Sequence, residues 1–496
     1  MKMLNFETPI KKLKHEVLKN VALLAKENNL NQDELLNIQY KIISGDKPQY
    51  RCCVYKERAI VYERAKLAAG FLPDGNGTNE DLTDIKEDEQ IIHVIGSACD
   101  RCPIDRFTVT EACRGCIAHT CMEVCPAGAI TKVNGRSYIN QELCKECGMC
   151  KKACPYNAIS EVMRPCKRSC PTGALHVNKI DRRAAIDPKE CINCGACMHA
   201  CPFGAISDIS YIVPVVNALM EKKEIHAIVA PAITGQFGPK VSVGQIKDAI
   251  LKLGFTDMIE AACGADAVAV HEVEELKERL DEGEKFMTSS CCPGFVAYIE
   301  KKFPELKDKI SGTVSPMIAV ARYLKKKNPN SMVIFIGPCT AKKGEIKRPE
   351  LEGAVDYVLT FEEISSLFDA FEIDVEQCTD LSVNDASLPG RSFAQSGGVT
   401  NAVALMASDM GVDVKPVKIN GQDDLKKTLL MAKSGKLAGN FIEGMMCQDG
   451  CIGGPATLWS SRKTIAPLKM FAQKSEDKSP KDNKALKEYE EIDLNR

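Results

Sequence analysis

Apolar positions in the first ninety residues fall at helical spacing: Leu13, Val17, Val21 and Leu24 recur every three to four residues on a charged background. The pattern predicts a helical N-terminal region over 1–90, serving as scaffold or as partner-docking helices. From 211 to about 470 short β-branched runs alternate with amphipathic stretches. HAIVAPAI precedes VGQIKDAILKLG, and SMVIFIGPC and VDYVLT precede FEEISSLFDAF. Strands alternating with helices predict an α/β domain with largely parallel sheets. The closing segment, 471–496, contains QKSEDKSPKDNKALKEYEEIDLNR, charged and poor in large apolar residues, and is expected to be a solvated tail.

At 496 residues the chain suggests about three domains, on a prior of roughly 150 residues each. With 45% hydrophobic and 27% charged residues and a net charge of −2, the composition is that of a soluble globular protein and gives no hint of nucleic acid. MKMLNFETPIKKLKHEV lacks the apolar core of a secretory signal, and no apolar run reaches 18 residues, so a cytoplasmic protein without membrane contact is expected.

Twenty-five cysteines against seven histidines change the picture. Cytosolic thiols are kept reduced, which favours metal ligation over disulfides, and a thiolate-rich, histidine-poor inventory favours iron–sulfur clusters or zinc. Sixteen of these cysteines fall between Cys99 and Cys201. Cys144, Cys147, Cys150, Cys154 and Cys191, Cys194, Cys197, Cys201 both match C-x-x-C-x-x-C-x-x-x-C-P. In two-cluster ferredoxins the first three cysteines of such a run hold one cubane and the fourth reaches its neighbour. Zinc ligands usually come as paired C-x-x-C units, which argues against zinc.

Cys113, Cys116, Cys121 and Cys125 form an expanded version, the natural partner of the Cys144 run. Exchanging fourth ligands predicts one cluster on Cys113, Cys116, Cys121 and Cys154, and another on Cys144, Cys147, Cys150 and Cys125. Cys99 and Cys102, with the later Cys166 and Cys170, read as one motif cut open with the first unit inside it. Two nested ferredoxin-like α+β modules are therefore expected over 91–210, with a third cluster on Cys191, Cys194, Cys197 and Cys170 and a fourth on Cys99, Cys102, Cys166 and Cys201. An insertion of this kind is tolerable because closure entropy grows only logarithmically with loop length. Four such clusters in sequence would carry single electrons between a surface donor and a buried site.

The α/β region holds the stretches TSSCCPGF, GPCTAKKGE and EGMMCQDGCIGG. In order and content they resemble the three signature motifs of the iron-only ([FeFe]) hydrogenases, over most of 225–458. The resemblance implies a catalytic domain over 211–470, two lobes with largely parallel sheets around a buried metal cluster. It also implies reversible 2H⁺ + 2e⁻ ⇌ H2. Cys292, Cys339, Cys447 and Cys451 would ligate an H-cluster, a cubane bridged through one thiolate, that of Cys451, to a two-iron unit with CO, cyanide and an amine-bearing dithiolate. Ferredoxin or a similar low-potential carrier would be the electron partner, and maturation proteins would supply the two-iron unit.

By the same resemblance the adjacent Cys291 is free of metal and starts a proton relay through Glu272, Ser311, Glu275 and Arg279. Spacing supports part of this independently, since residues at i, i+3 and i+7 share a helix face. Lys342 matches a lysine that donates to cyanide, with Glu345 as its local ion-pair partner. Met445 matches a methionine packed on the two-iron unit, and Ala230 and Pro231 match the lining of a cyanide pocket.

Ala232, Gly337, Met317 and Phe295 depart from the best-known members, as does the ending CIGGPATL, and resemble the group B branch. A non-catalytic iron–sulfur relative, either an H2 sensor or a cluster-assembly protein, is the alternative. Cys52, Cys53, Cys263 and Cys378 read as core thiols.

Overall fold

A computed structural model describes residues 6–73, 90–102, 106–178 and 180–496. Three helices make up the N-terminal region: Pro9–Lys26, Gln32–Ile42 and Val54–Ala68. The first starts where the Thr8 side chain accepts the Lys11 N–H and Pro9 supplies a preset φ. It buries Val17, Val21 and Leu24, as the spacing predicts, and packs against the helix Phe361–Ala370 of the α/β region. Lys14, on the same helix, reaches Asp208 at 2.7 Å and Glu362 at 2.6 Å. The N-terminal region is thereby built into the body of the protein.

The cysteine-rich region is a set of short antiparallel pairs, one enclosed by another. Ile92–Val94 pairs with Ile206–Asp208, and between them Phe107–Val109 pairs with Ile159–Glu161. The hairpin Ile130–Val133 with Arg136–Ile139 lies inside the second pair, while Leu175–Val177 with Ala184–Ile186 belongs to the outer one. Gly195, at φ 70°, turns the chain into the helix Ala196–Ala200; a Cβ there would meet Pro455 and Thr340 at 2.7 Å. Glycine thus lets this loop press directly on the α/β region.

Two parallel sheets form the α/β region. One has four strands in the order Asp257–Glu260, Ile225–Val229, Met332–Gly337, Tyr357–Thr360. The other has three, in the order Met287–Thr288, Phe441–Met445, Pro416–Asn420. Ile225–Val229 is buried at every position, His226 included, which is why its sequence does not alternate between apolar and polar residues. The 21-residue helix Ala261–Asp281 leads from the first sheet toward the second.

The closing segment corrects an expectation. The helix Ser461–Gln473 runs past 470, and the chain beyond it packs back on the body, burying Tyr489 and Leu494. Val314 N–H donates to the Leu494 carbonyl at 2.8 Å, and Arg496 N–H to that of Gly312 at 2.7 Å. A few apolar anchors among many solvent-facing charges suffice to hold it, so composition alone misread it as a solvated tail.

Candidate active site

The loops at the carboxyl ends of parallel strands converge on one cavity, the usual place for a site in an open α/β sheet. Ala230 and Pro231 follow Ile225–Val229, Cys339 follows Met332–Gly337, Cys291 and Cys292 follow Met287–Thr288, and Cys447 follows Phe441–Met445. Cys451 opens the turn Cys451–Gly453, where Gly450, at φ 83°, leaves no room for a Cβ beside Ser396 and Gln395. The cavity, about 100 Å³ in volume, has largely apolar walls, and Lys342 contributes the charged side chain. Met445 and Met317 complete it.

Burial pushes the Cys339 thiol up to about 11 and that of Cys451 up to about 12, and the charge of Cys292 adds to both; burial also raises Cys447 well above its ordinary value. Gathered buried thiolates are costly without a cation, and a coordinating metal deprotonates thiols outright. This donor set fits a thiolate-held iron cluster. Lys342 Nζ lies 2.7 Å from Glu345, the expected local pair, and supplies positive charge beside Cys339.

The departures at Gly337 and Phe295 have packing reasons. A Cβ on Gly337 would strike the Phe335 ring at 2.4 Å, so no larger residue fits while Phe335 stands there. Phe295 is fully buried against Gly444, whose missing Cβ makes room for the ring. Ala232 and Met317 are buried, and nothing in the structure explains their identity.

Behind Cys291 lies Glu272, fully buried on the helix Ala261–Asp281. Burial first, then the charge of Glu275, pushes Glu272 up to about 8 against the pull of the Ser290 N–H, 3.2 Å from its Oε1. Burial, followed by the neighbouring charge of Glu272, raises Cys291 well above its ordinary value. Glu275 is differently placed. Burial acts to raise it, but Gly312 N–H at 2.8 Å, Ser311 Oγ at 2.6 Å and Arg279 Nη2 at 2.7 Å hold it below the usual range. Ser311 thus bonds the outer glutamate. Arg279 ends the file, its side chain 19% exposed.

Sequence reasoning missed three groups here. Thr313 Oγ1 donates to Glu275 at 3.2 Å and lies 2.8 Å from His271 Nδ1, so a threonine and an imidazole join the file. Glu443 is fully buried, accepts N–H groups from Gly397 at 2.6 Å and Thr400 at 2.7 Å, and adds negative charge near Cys291 and Cys451. The signal for Glu443 was a charge in the apolar strand FIEGM.

In the cysteine-rich region, Cys150 feels the charges of Cys144, Cys125 and Cys147, Cys166 those of Cys201, Cys102 and Cys99, and Cys197 those of Cys194, Cys191 and Cys170. In each of these three sets the sulfurs lie close enough to act on one another. Of the fourth expected set, Cys121 and Cys154 share a small core with Cys125, Cys144 and Cys150, while Cys113 and Cys116 lie on the turn before it. Cys197 also feels Cys166, and Cys194 feels Cys339, so sulfurs lead from group to group into the α/β cavity. Among the described residues no three potential ligands gather as for a single metal ion.

Residues 223–455 match the family model of the iron only hydrogenase large subunit, C-terminal domain, and residues 137–160 and 184–207 match the 4Fe-4S binding domain. The α/β region over 223–455 thus carries an iron-only hydrogenase C-terminal domain. It is 27% identical over 298 residues to iron hydrogenase 1 of Clostridium pasteurianum, and 30% identical over 303 residues to the NADP-reducing hydrogenase subunit HndD of Solidesulfovibrio fructosivorans. Each alignment covers 49% of this chain and 52% of the relative, so the chain spans about half the length of these curated relatives. A cytosolic Fe-S cluster assembly factor, NAR1 of Kluyveromyces lactis, is 38% identical over 99 residues, 20% of this chain and 21% of that protein. An apo [FeFe]-hydrogenase structure from Chlamydomonas reinhardtii aligns with a TM-score of 0.46 and 22% identity, covering 54% of this chain and 88% of that one. Among the described residues no helix is long and apolar enough to cross a membrane.

Proposed function

We propose that this protein is a ferredoxin-linked hydrogenase catalysing 2H⁺ + 2e⁻ ⇌ H2 at an H-cluster held by Cys292, Cys339, Cys447 and Cys451. Four further [4Fe-4S] clusters would relay electrons. The observation that carries the reading is the pairing of two adjacent thiols with different surroundings. Cys292 stands among the other cavity cysteines, whereas the strongest charge acting on Cys291 is that of buried Glu272.

The two-iron unit, when bound, supplies the chemistry of making and splitting H2. The residues of the chain bind it and move protons. Lys342 offsets the charge of an anionic ligand in a dry pocket, where a charge without a partner is costly. Cys291 holds a proton at its Sγ between the cavity and Glu272. With its pKa near 8, Glu272 keeps its proton at neutral pH yet can release it, as a group that passes protons on must. Ser311 and Glu275 continue the path, and Arg279 holds Glu275 at the outer end.

The match to a cluster-assembly factor favours one other reading, a non-catalytic iron–sulfur protein. Infrared spectroscopy of the matured protein separates the two. Bands from bound CO and cyanide, together with H2 turnover using reduced ferredoxin, are expected; a chain that takes up cubanes only and shows no such bands is not a hydrogenase.

A further inference from the structure

The N-terminal helices and the outer ferredoxin-like unit line a second cavity of about 510 Å³, within the ~300–1,000 Å³ common for small-molecule sites. Its apolar wall includes Ile10 and Leu13 of the helix Pro9–Lys26, Ile60 and Val61 of the helix Val54–Ala68, and Phe203 from the turn after Cys201. Arg51 and Arg64 line it as well.

Arg64 is only 4% exposed. Its Nη2 donates to the Gly204 carbonyl at 2.5 Å, while its buried Nε has no hydrogen-bond partner among the described residues. Burial pushes this guanidinium down to about 10; the negative charges of Glu362 and Cys201 oppose the fall, and the like charge of Arg51 adds to it. Glu362 already pairs with Lys14 at 2.6 Å. Arg51 donates to two neutral carbonyls, of Phe203 at 2.7 Å and Ala98 at 3.3 Å, and the oxygen of Asp100 is 4.0 Å away on a half-exposed side chain.

The acid in the cavity wall cannot balance the arginines. Glu57 turns its carboxylate to backbone N–H groups, of Gln49 at 3.0 Å, Arg51 at 2.7 Å and Tyr50, and makes no ion pair with Arg51 or Arg64 among the described residues. Two guanidiniums against one carboxylate in an apolar wall leave net positive charge that a buried site needs to have matched.

We propose that this cavity binds an amphipathic anion, a carboxylate or phosphate ester whose head takes the remaining donors of Arg64 and Arg51 and whose apolar body lies on the Ile10–Leu13 wall. The site does not depend on the hydrogenase reading. If Cys201 ligates a cluster, the bound charge sits near that cluster and disfavours adding an electron to it, which would give the site control over electron delivery.

Calorimetric titration of the full, cluster-loaded chain tests this with octanoate, octyl phosphate and 1-octanol as probes. Saturable binding of at least one anion at one site per chain is expected, with the alcohol at least tenfold weaker. The two anions distinguish a carboxylate site from a phosphate site. Arg64→Met should weaken the anion at least tenfold, and Ile10→Trp, at a half-buried position, should do the same by filling the wall. Should Arg64→Met fail to fold, Arg51→Gln and Ile10→Trp decide. Absence of saturable anion binding, equal affinity for the alcohol, or affinity unchanged in the folded variants would each overturn the proposal.

Discussion

Ser311 donates to Glu275 Oε2 at 2.6 Å, while Glu272, one helical turn earlier, has a buried Oε2 with no hydrogen-bond partner among the described residues. The two carboxylates share a helix face but not an environment. Burial governs the inner one, and four donors from Gly312, Ser311, Thr313 and Arg279 govern the outer one.

That contrast gives a pH-dependent stability. Glu272 titrates near 8 in the folded chain and at about 4.3 when unperturbed. A folded pKa above the unfolded one means that the folded state binds more protons between these values, so stability is full below about pH 4 and falls as pH rises through 8. Glu272→Gln removes this dependence. Chemical denaturation should show wild type losing ground to the variant from pH 5 to 8, with a difference approaching about 4 kcal/mol. A constant difference across that range would mean that Glu272 is ionised throughout.

Glu275 behaves oppositely, since its folded pKa is lowered. Its stabilisation is present above the unfolded value of about 4.3 and is lost as pH falls below it. Glu275→Gln should therefore be least stable relative to wild type at neutral pH, and the gap should close toward pH 3. Thr313 also donates to Glu275, so Ser311→Ala should cost only ~1 kcal/mol by itself, and Ser311→Ala with Thr313→Val clearly more than the sum of the two single changes.

Much of this arrangement was legible in the sequence because helical spacing fixes which side chains share a face. Glu272, Glu275 and Arg279 needed only the 3.6-residue period. Thr313 and His271 were not legible, because their bond joins a loop to the helix across 42 residues. In the sheets, apolar runs announced buried parallel strands, while strand order and the two-lobed division depend on pairings far apart in sequence. The closing segment was misread for a related reason: Leu494 and Tyr489 matter only because Val314 and the helix Ala261–Asp281 lie where they land.

The closing segment bears on the proposed relay. Its backbone bonds to Gly312 and Val314 hold the loop whose Ser311, Gly312 and Thr313 donate to Glu275. Leu494→Ala should destabilise the chain by about 2–3 kcal/mol through lost burial and should raise the Glu275 pKa, as seen by carboxylate infrared difference spectra. A pure stability loss with Glu275 unmoved would separate the segment from the site.

Metal content tests the cysteine partition. Five cubanes and a two-iron unit amount to about 22 irons per matured chain. Cys99→Ala and Cys166→Ala, 67 positions apart, should remove the same reduction signal, because Cys166 feels Cys99, Cys102 and Cys201. Loss of different signals would break that grouping even with the total iron correct.

The paired thiols give the sharpest division between structure and chemistry. Cys292→Ala removes a ligand from the cavity set, so the cubane there should be lost or displaced and the two-iron unit not retained. Cys291→Ala should keep the full metal complement, since in this reading its thiol binds no iron. Its damage should be kinetic: a positioned proton donor typically contributes about 10²–10⁴-fold, and alanine has no proton to pass. Aspartate at 291 would restore part of the transfer if it reaches the cavity, although burial beside Glu272 would raise its pKa as burial raises that of the thiol. Iron content, infrared bands and H2 turnover measured on both alanine variants decide the matter. Normal turnover in Cys291→Ala with a complete cluster would remove Cys291 from the proton path, and equal metal loss from both variants would reassign the ligand.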